Sequence, residues 1–175
     1  ALEESYGHYL FDALTQDAFI SFDPNFRTDL WKNNAATFIK KCLPFIEKSH
    51  LCKFSEEEAK LLSGKEHLEE ACTVLHELGA PIICITMGAR GTLVSTPESK
   101  KQIESTAVIP VDTTGAGDAF IGSLLSQISK LDFSPIELSS QLDLLYNMVA
   151  KANKVGALTT TKYGAIAAIP AQNEV

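Results

Sequence analysis

The sequence has no run of about eighteen apolar residues, so it offers no helix that could span a membrane. Positive charge is scarce: 15 Lys and Arg against 22 Asp and Glu give a formal net charge of −7. Nucleic-acid surfaces concentrate Lys and Arg, so that class of partner is excluded, although a nucleotide can still be held locally by backbone amides and a metal. Cysteine is sparse. Cys42, Cys52, Cys72 and Cys84 lack Cys-x-x-Cys spacing and paired histidines, and read as packed thiols of a reducing compartment. His8, His50, His67 and His76 are scattered without ligand spacing. No repeat, low-complexity tract or Pro/Gly/Ser-rich linker interrupts the 175 residues, which read as one domain over 1–175 with room for a real core. The start, Ala1-Leu2-Glu3-Glu4-Ser5-Tyr6, has no initiating Met and no signal-peptide pattern, and reads as that of a cut chain.

What is present is an alternation of apolar runs with amphipathic stretches, the pattern of an α/β sheet with crossover helices. Tyr6, Tyr9, Leu10, Ala13 and Leu14 predict a helix over 3–17, and Ala18–Asp23 a strand ended by Pro24. A helix over about Asn33–Lys48, a strand at Leu51–Phe54 and a helix from Ser55 follow. Ser55-Glu56-Glu57-Glu58 matches the capping box Ser-x-x-Glu, and Gly64 is the stop. Lys65–Leu78 predicts a helix, and the β-branched run Pro81–Thr86 a strand buried on both faces. Thr92–Ser95 and Gln102–Val108 read as antiparallel strands around a Thr96–Lys101 turn. A helix to about Lys130 and a long one over Pro135–Val155 complete the pattern.

The stretch that carries chemistry is Asp112-Thr113-Thr114-Gly115-Ala116-Gly117-Asp118, where a turn runs into an apolar helix. Gly115 and Gly117 can take backbone angles that side chains forbid, letting successive amides converge on one anion at a helix N-terminus. Asp118 falls in the first turn, where the helix dipole favours its ionised form. A carboxylate beside a phosphate cradle is placed to take a proton from a hydroxyl attacking that phosphate. An ordinary capped turn is the plainer reading of the same residues.

Other segments admit two readings each. Asp23-Pro24-Asn25-Phe26-Arg27 leaves a strand carrying a carboxylate, an amide and a guanidinium, or is a turn with a surface arginine. Glu58 closes a capping box and, in an acidic first turn, favours the helix dipole. Thr86-Met87-Gly88-Ala89-Arg90-Gly91 lets backbone approach a ligand, or is a hairpin bend. Taken alone, Asn153 is a helix-end cap, and Asp112 and Thr114 are turn-formers.

The string Val-Asp-Thr-Thr-Gly-Ala-Gly-Asp-Ala-Phe closely resembles the C-terminal signature of the PfkB (ribokinase-like) sugar kinases. Asp-Pro-Asn-x-Arg followed by Leu-Trp resembles the fructokinase branch. The resemblance covers nearly the whole chain but only the C-terminal half of the family pattern. It implies a three-layer α-β-α ribokinase-like fold with a mostly parallel central sheet, its N-terminal half and lid absent here. It implies a cytoplasmic, ATP-dependent kinase for a primary sugar hydroxyl, fructose first, homodimeric at full length, with this chain inactive alone. Asp118 is then the base, and Gly115, Ala116 and Gly117 form the anion cradle, with Arg27 reaching toward substrate and phosphates. Thr86, Gly88, Gly91, Asn153 and Asn25 serve the nucleotide. Glu58 orients Mg²⁺ through water, with Ser55 standing where the family has Asn. Asp112 and Thr114, with the Gly164 region, mark a K⁺ site. The alternatives are another kinase of the family, for ribose, a nucleoside or 2-keto-3-deoxygluconate, or a noncatalytic nucleotide-binding module.

Overall fold

A computed structural model describes residues 2–31 and 34–175. Five strands, β1 (Ser21–Phe22), β2 (Leu51–Ser55), β3 (Ile83–Thr86), β4 (Thr92–Thr96) and β5 (Ser99–Ile103), form one sheet in sequence order. Among the described residues seven α-helices accompany them: α1 (Leu2–Thr15), α2 (Thr28–Trp31), α3 (Ala35–Lys48), α4 (Glu56–Ser63), α5 (Leu68–Glu77), α6 (Ala116–Ile128) and α7 (Leu142–Thr159). The three-layer α/β class expected from the sequence is the one observed. The residues divide into two compact units, one running to Ile85 with Ser95–Ser99, the other comprising Thr86–Val94 and Lys100–Val175.

In the first unit β1 pairs parallel with β2, Ser21 opposite Leu51 and Phe22 opposite Cys52. Only Ser21 and Phe22 of the expected Ala18–Asp23 strand are in the ladder; the Ile20 carbonyl still accepts from the Leu51 N–H at 3.2 Å, but its own N–H turns to a side chain. The Ile20 N–H donates to Nδ1 of His50 at 2.9 Å, and Phe19 stacks on that ring at 5.3 Å. β2 buries Leu51, Cys52 and Phe54 completely. Ser55 and Glu58 close the predicted capping box, and Gly64 ends α4 at φ 67°. Asn33, the expected start of α3, lies outside the described residues, and the helix is in place from Ala35. α5 starts at Leu68 rather than Lys65, after the reversal at Gly64.

Nδ1 can accept from Ile20 only when it carries no proton, and burial lowers the His50 pKa in the same direction. The unfolded chain therefore binds the proton more readily, so this contribution is complete above about pH 6.5 and is lost as pH falls through the folded-state value. Thermal melts between pH 7.5 and 5 are expected to show a drop in Tm that His50→Gln, whose amide oxygen accepts without titrating, flattens.

The second unit holds Thr92–Val94 of β4, β5 from Lys100 onward, and the pair α6 and α7. β5 begins at Ser99 after a two-residue turn, Pro97-Glu98, rather than at Gln102. Its Ser-Lys-Lys-Gln stretch has no apolar alternation because β5 is an edge strand with its central residues exposed, and lysines suit such an edge. The expected Pro135–Val155 helix is a 3-10 turn, Pro135–Ser140, and then α7, the break falling at Gln141 with ψ 61°. Gly156 of α7 lets the start of α6 come close: a Cβ there would stand 3.1 Å from the Ala116 carbonyl oxygen. Leu124, Leu145, Val149 and Ala152 are fully buried along this pair of helices.

None of the four cysteines is in a disulfide, and all are buried. Burial pushes the thiols of Cys42, Cys52 and Cys84 up to about 12, so they stay protonated and inert. Among the described residues no helix is long and apolar enough to cross a membrane, and no cluster of three His, Cys, Asp or Glu side chains is placed to hold a metal.

Candidate functional site

The turn before α6 is built by hydrogen bonds across long sequence distances. The N–H groups of Val111 and Asp112 donate to the Thr160 carbonyl at 2.7 and 3.0 Å, tying the turn to the end of α7. Asp112 Oδ1 accepts from the Thr114 N–H at 2.9 Å and Oδ2 from the Gly164 N–H at 3.1 Å. The bonds from Thr114, side chain and then backbone, followed by that from Gly164, hold the Asp112 carboxyl below the usual range. Asp112 is thus both the turn-former read from the sequence and the strut to the Gly164 segment; Thr114 supplies the amide at its near end.

Gly115 is the N-cap of α6 at φ 79°, and a Cβ there would lie 2.6 Å from Cβ of Ala165. Glycine is required twice over, by the sign of φ and by the approach of the neighbouring segment. Gly117 departs from expectation: it lies within the first turn of α6 and is not among the glycines of positive φ. The reversal is completed at Gly115, one residue before the helix, leaving Gly117 an ordinary helical backbone.

The Ala119 N–H makes the first intrahelical bond, to Gly115 O at 2.8 Å, while Ala116 N–H is turned to Thr113 O at 3.3 Å. First-turn amides have no acceptor within their own helix, which leaves Gly117 and Asp118 as open donors at the positive end of the dipole. The Asp118 side chain is exposed, three residues past the cap.

Beside this turn the second unit contains a cavity of about 540 Å³, the size of a small-molecule site. Thr86, Gly88, Gly91, Asn153, Ala116 and Gly117, six of the residues singled out from the sequence, line it together. The two glycines of the Thr-x-Gly-x-x-Gly segment differ in purpose. Gly88, at φ 59°, has nothing within 4 Å of where a Cβ would stand, whereas at Gly91 a Cβ would fall 2.1 Å from the Ile103 carbonyl oxygen. The close approach at Gly91 is therefore made by the chain's own backbone. Asn153 is buried and fully engaged: Oδ1 accepts from Thr92 Oγ1 at 2.6 Å, and Nδ2 donates to the carbonyls of Ile103 and Glu104 at 2.9 and 3.2 Å. It joins α7 to the β4–β5 hairpin and forms part of the cavity wall. Sequence reasoning passed over Gly156, Thr92 and residues 105–110. A glycine inside the apolar helix segment Val155-Gly156-Ala157 was the available signal for the first.

Asn25, Arg27 and Glu58 belong to the first unit and do not line this cavity. Asn25 sits at φ 53°, a conformation that asparagine tolerates. Arg27 is exposed, and its carbonyl caps α2 by accepting from Leu30 and Trp31. Glu58 is buried, with Oε2 accepting from Ser55 N–H at 2.7 Å and Oε1 from Phe26 N–H at 2.6 Å. Phe38 packs against Phe26 at 4.7 Å and against Trp31 at 5.1 Å. One carboxylate thus caps α4 and holds the Asp-Pro-Asn-Phe-Arg segment. Lys53, also missed, pairs with Asp23 at 2.9 Å; a lysine inside the apolar strand Leu-Cys-Lys-Phe was the signal, because a buried cation demands a partner.

Glu58→Gln tests the double anchoring. An amide presents one oxygen and one NH₂, so one of the two backbone donors would face another donor. A loss of about 2 kcal/mol in denaturant unfolding is expected, with faster hydrogen exchange at Phe26; an unchanged Phe26 amide would show that Glu58 does not hold this segment.

The second unit thus brings together a glycine-capped helix start with open amides, a first-turn carboxylate and an adjoining cavity in an α/β protein. The chain belongs to the pfkB family of carbohydrate kinases, whose model matches residues 1–172. It is 35% identical over 159 residues to a probable fructokinase-4 of Arabidopsis thaliana, covering 90% of this chain and 47% of that protein. With the aminoimidazole riboside kinase of Salmonella typhimurium it shares 34% identity over 154 residues, 87% of this chain and 46% of the relative. A crystal structure of a Vibrio cholerae fructokinase double mutant, in its fructose-, ADP- and potassium-bound form, superposes with a TM-score of 0.86 at 33% identity, over 97% of this chain and 53% of that one. The chain spans about half the length of these relatives.

Proposed function

We propose that residues 1–175 are the C-terminal, nucleotide-binding and proton-accepting half of an ATP-dependent sugar kinase acting on a primary hydroxyl, that of fructose first. The observation that carries this reading is the meeting in one unit of a 540 Å³ cavity, open amides at the start of α6 and the exposed Asp118 carboxylate. Asp118 takes the proton of the attacking hydroxyl. The N–H groups of Gly117 and Asp118, set by the cap at Gly115, bear the charge growing on the transferred phosphate, that of Ala116 being turned to the Thr113 carbonyl. Thr86, Gly88 and Gly91 border the nucleotide, and Asn153 holds the wall behind it.

Magnesium accompanying ATP supplies charge neutralisation. Glu58 suits it only through water, since each of its oxygens already accepts a backbone N–H. Asp112, joined to Thr114 and Gly164, holds together the segments whose oxygens would meet K⁺. A homodimer at full length and a cytoplasmic location belong to the same proposal. A coupled assay with fructose, ATP and Mg²⁺ tests it: this chain is expected to bind ATP without efficient turnover, and robust turnover would overturn the half-site reading. The likeness to a riboside kinase supports a nucleoside acceptor as the second reading, and a substrate panel on a protein that also carries the sugar-binding half separates the two. ATP binding there without any phosphorylated product would instead favour a noncatalytic module.

A further inference from the structure

Resting on the reading of the second unit's cavity as a nucleotide site, we propose that it holds the phosphoryl donor without selecting the base, so that nucleoside triphosphates with a 6-amino or a 6-keto purine bind alike. Telling these bases apart takes a hydrogen-bonding group of fixed polarity at the base edge, and sites that have one reject the wrong partner by orders of magnitude. The cavity wall contains no charged, histidine or glutamine side chain. Its single carboxamide, Asn153, has its oxygen occupied by Thr92 and both amide hydrogens given to the Ile103 and Glu104 carbonyls. Thr92 donates its hydroxyl proton to Asn153, and Thr160 donates its own to the Ala157 carbonyl at 2.7 Å.

The other hydroxyls of the wall are those of Thr86, Ser105, Thr106 and Thr113, between apolar surfaces that include Val108, Pro110 and Phe120. A hydroxyl rotates to donate or accept, so it serves an amino and a keto group equally. Affinity then comes from apolar contact with the ring faces and from the phosphates at α6, both common to all purine nucleotides.

The test is equilibrium binding of ATP, GTP and ITP to the 175-residue chain with Mg²⁺, by titration calorimetry. Dissociation constants within about tenfold of one another are expected. A wider spread overturns the proposal and leaves the nucleotide reading standing, whereas absence of binding by all three overturns both.

Discussion

In a protein carrying this chain together with the sugar-binding half of its relatives, Asp118→Ala is expected to cut kcat by about 10²–10⁴-fold with little change in KM. The expectation follows from position. Asp118 is the third residue of α6, at the positive end of the helix dipole, and it directly follows the cradle residues that line the cavity. A positioned base acts mainly in the transition state, so its loss falls on turnover rather than on binding. The fold should be indifferent, because the side chain is exposed and sits where α6 begins rather than in the buried row Phe120, Leu124 and Ile128. An unchanged Tm with near-normal turnover would remove Asp118 from the role of base.

Gly91→Ala is expected to destabilise the second unit by about 3 kcal/mol or more, enough to prevent its folding. At φ 84° and ψ −140° a side chain is strained, and the added Cβ would lie 2.1 Å from the Ile103 carbonyl oxygen and 2.7 Å from the Ser105 nitrogen. Both obstacles are backbone, so neither can yield by changing a rotamer. The shift would reach the Ile103 and Glu104 carbonyls that hold the buried Asn153. Gly88→Ala is the control: with open space around it, only the left-handed conformation counts against it, at about 1 kcal/mol. Denaturant melts should separate the two variants clearly, and equal midpoints would contradict the close approach at Gly91.

The legible features were those whose cause lies within a few residues. The capping box of Ser55 and Glu58, the stop at Gly64 and the cap at Gly115 are each made by backbone geometry and bonds spanning at most four residues, so residue types at fixed spacing reveal them. The strand at β3 was legible from its apolar, β-branched composition, since burial on both faces leaves no alternation to mistake. β5 was misplaced because an edge strand buries too little to leave a pattern. At Gly117 the chemistry of the motif was read into a backbone angle that the neighbouring Gly115 supplies.

By itself the sequence determined the family, the α/β class and the glycine-capped start of α6 with its first-turn carboxylate, because these depend on local conformation and on a contiguous string of residues. Only the tertiary structure decided that Gly91 makes room for the chain's own backbone, that Asn153 spends its amide on Thr92, Ile103 and Glu104, that Glu58 also grips Phe26, and that Asp112 reaches Gly164. Those partners lie from 12 to 61 residues apart. No periodicity links positions so distant; packing of the finished fold selects which polar group meets which.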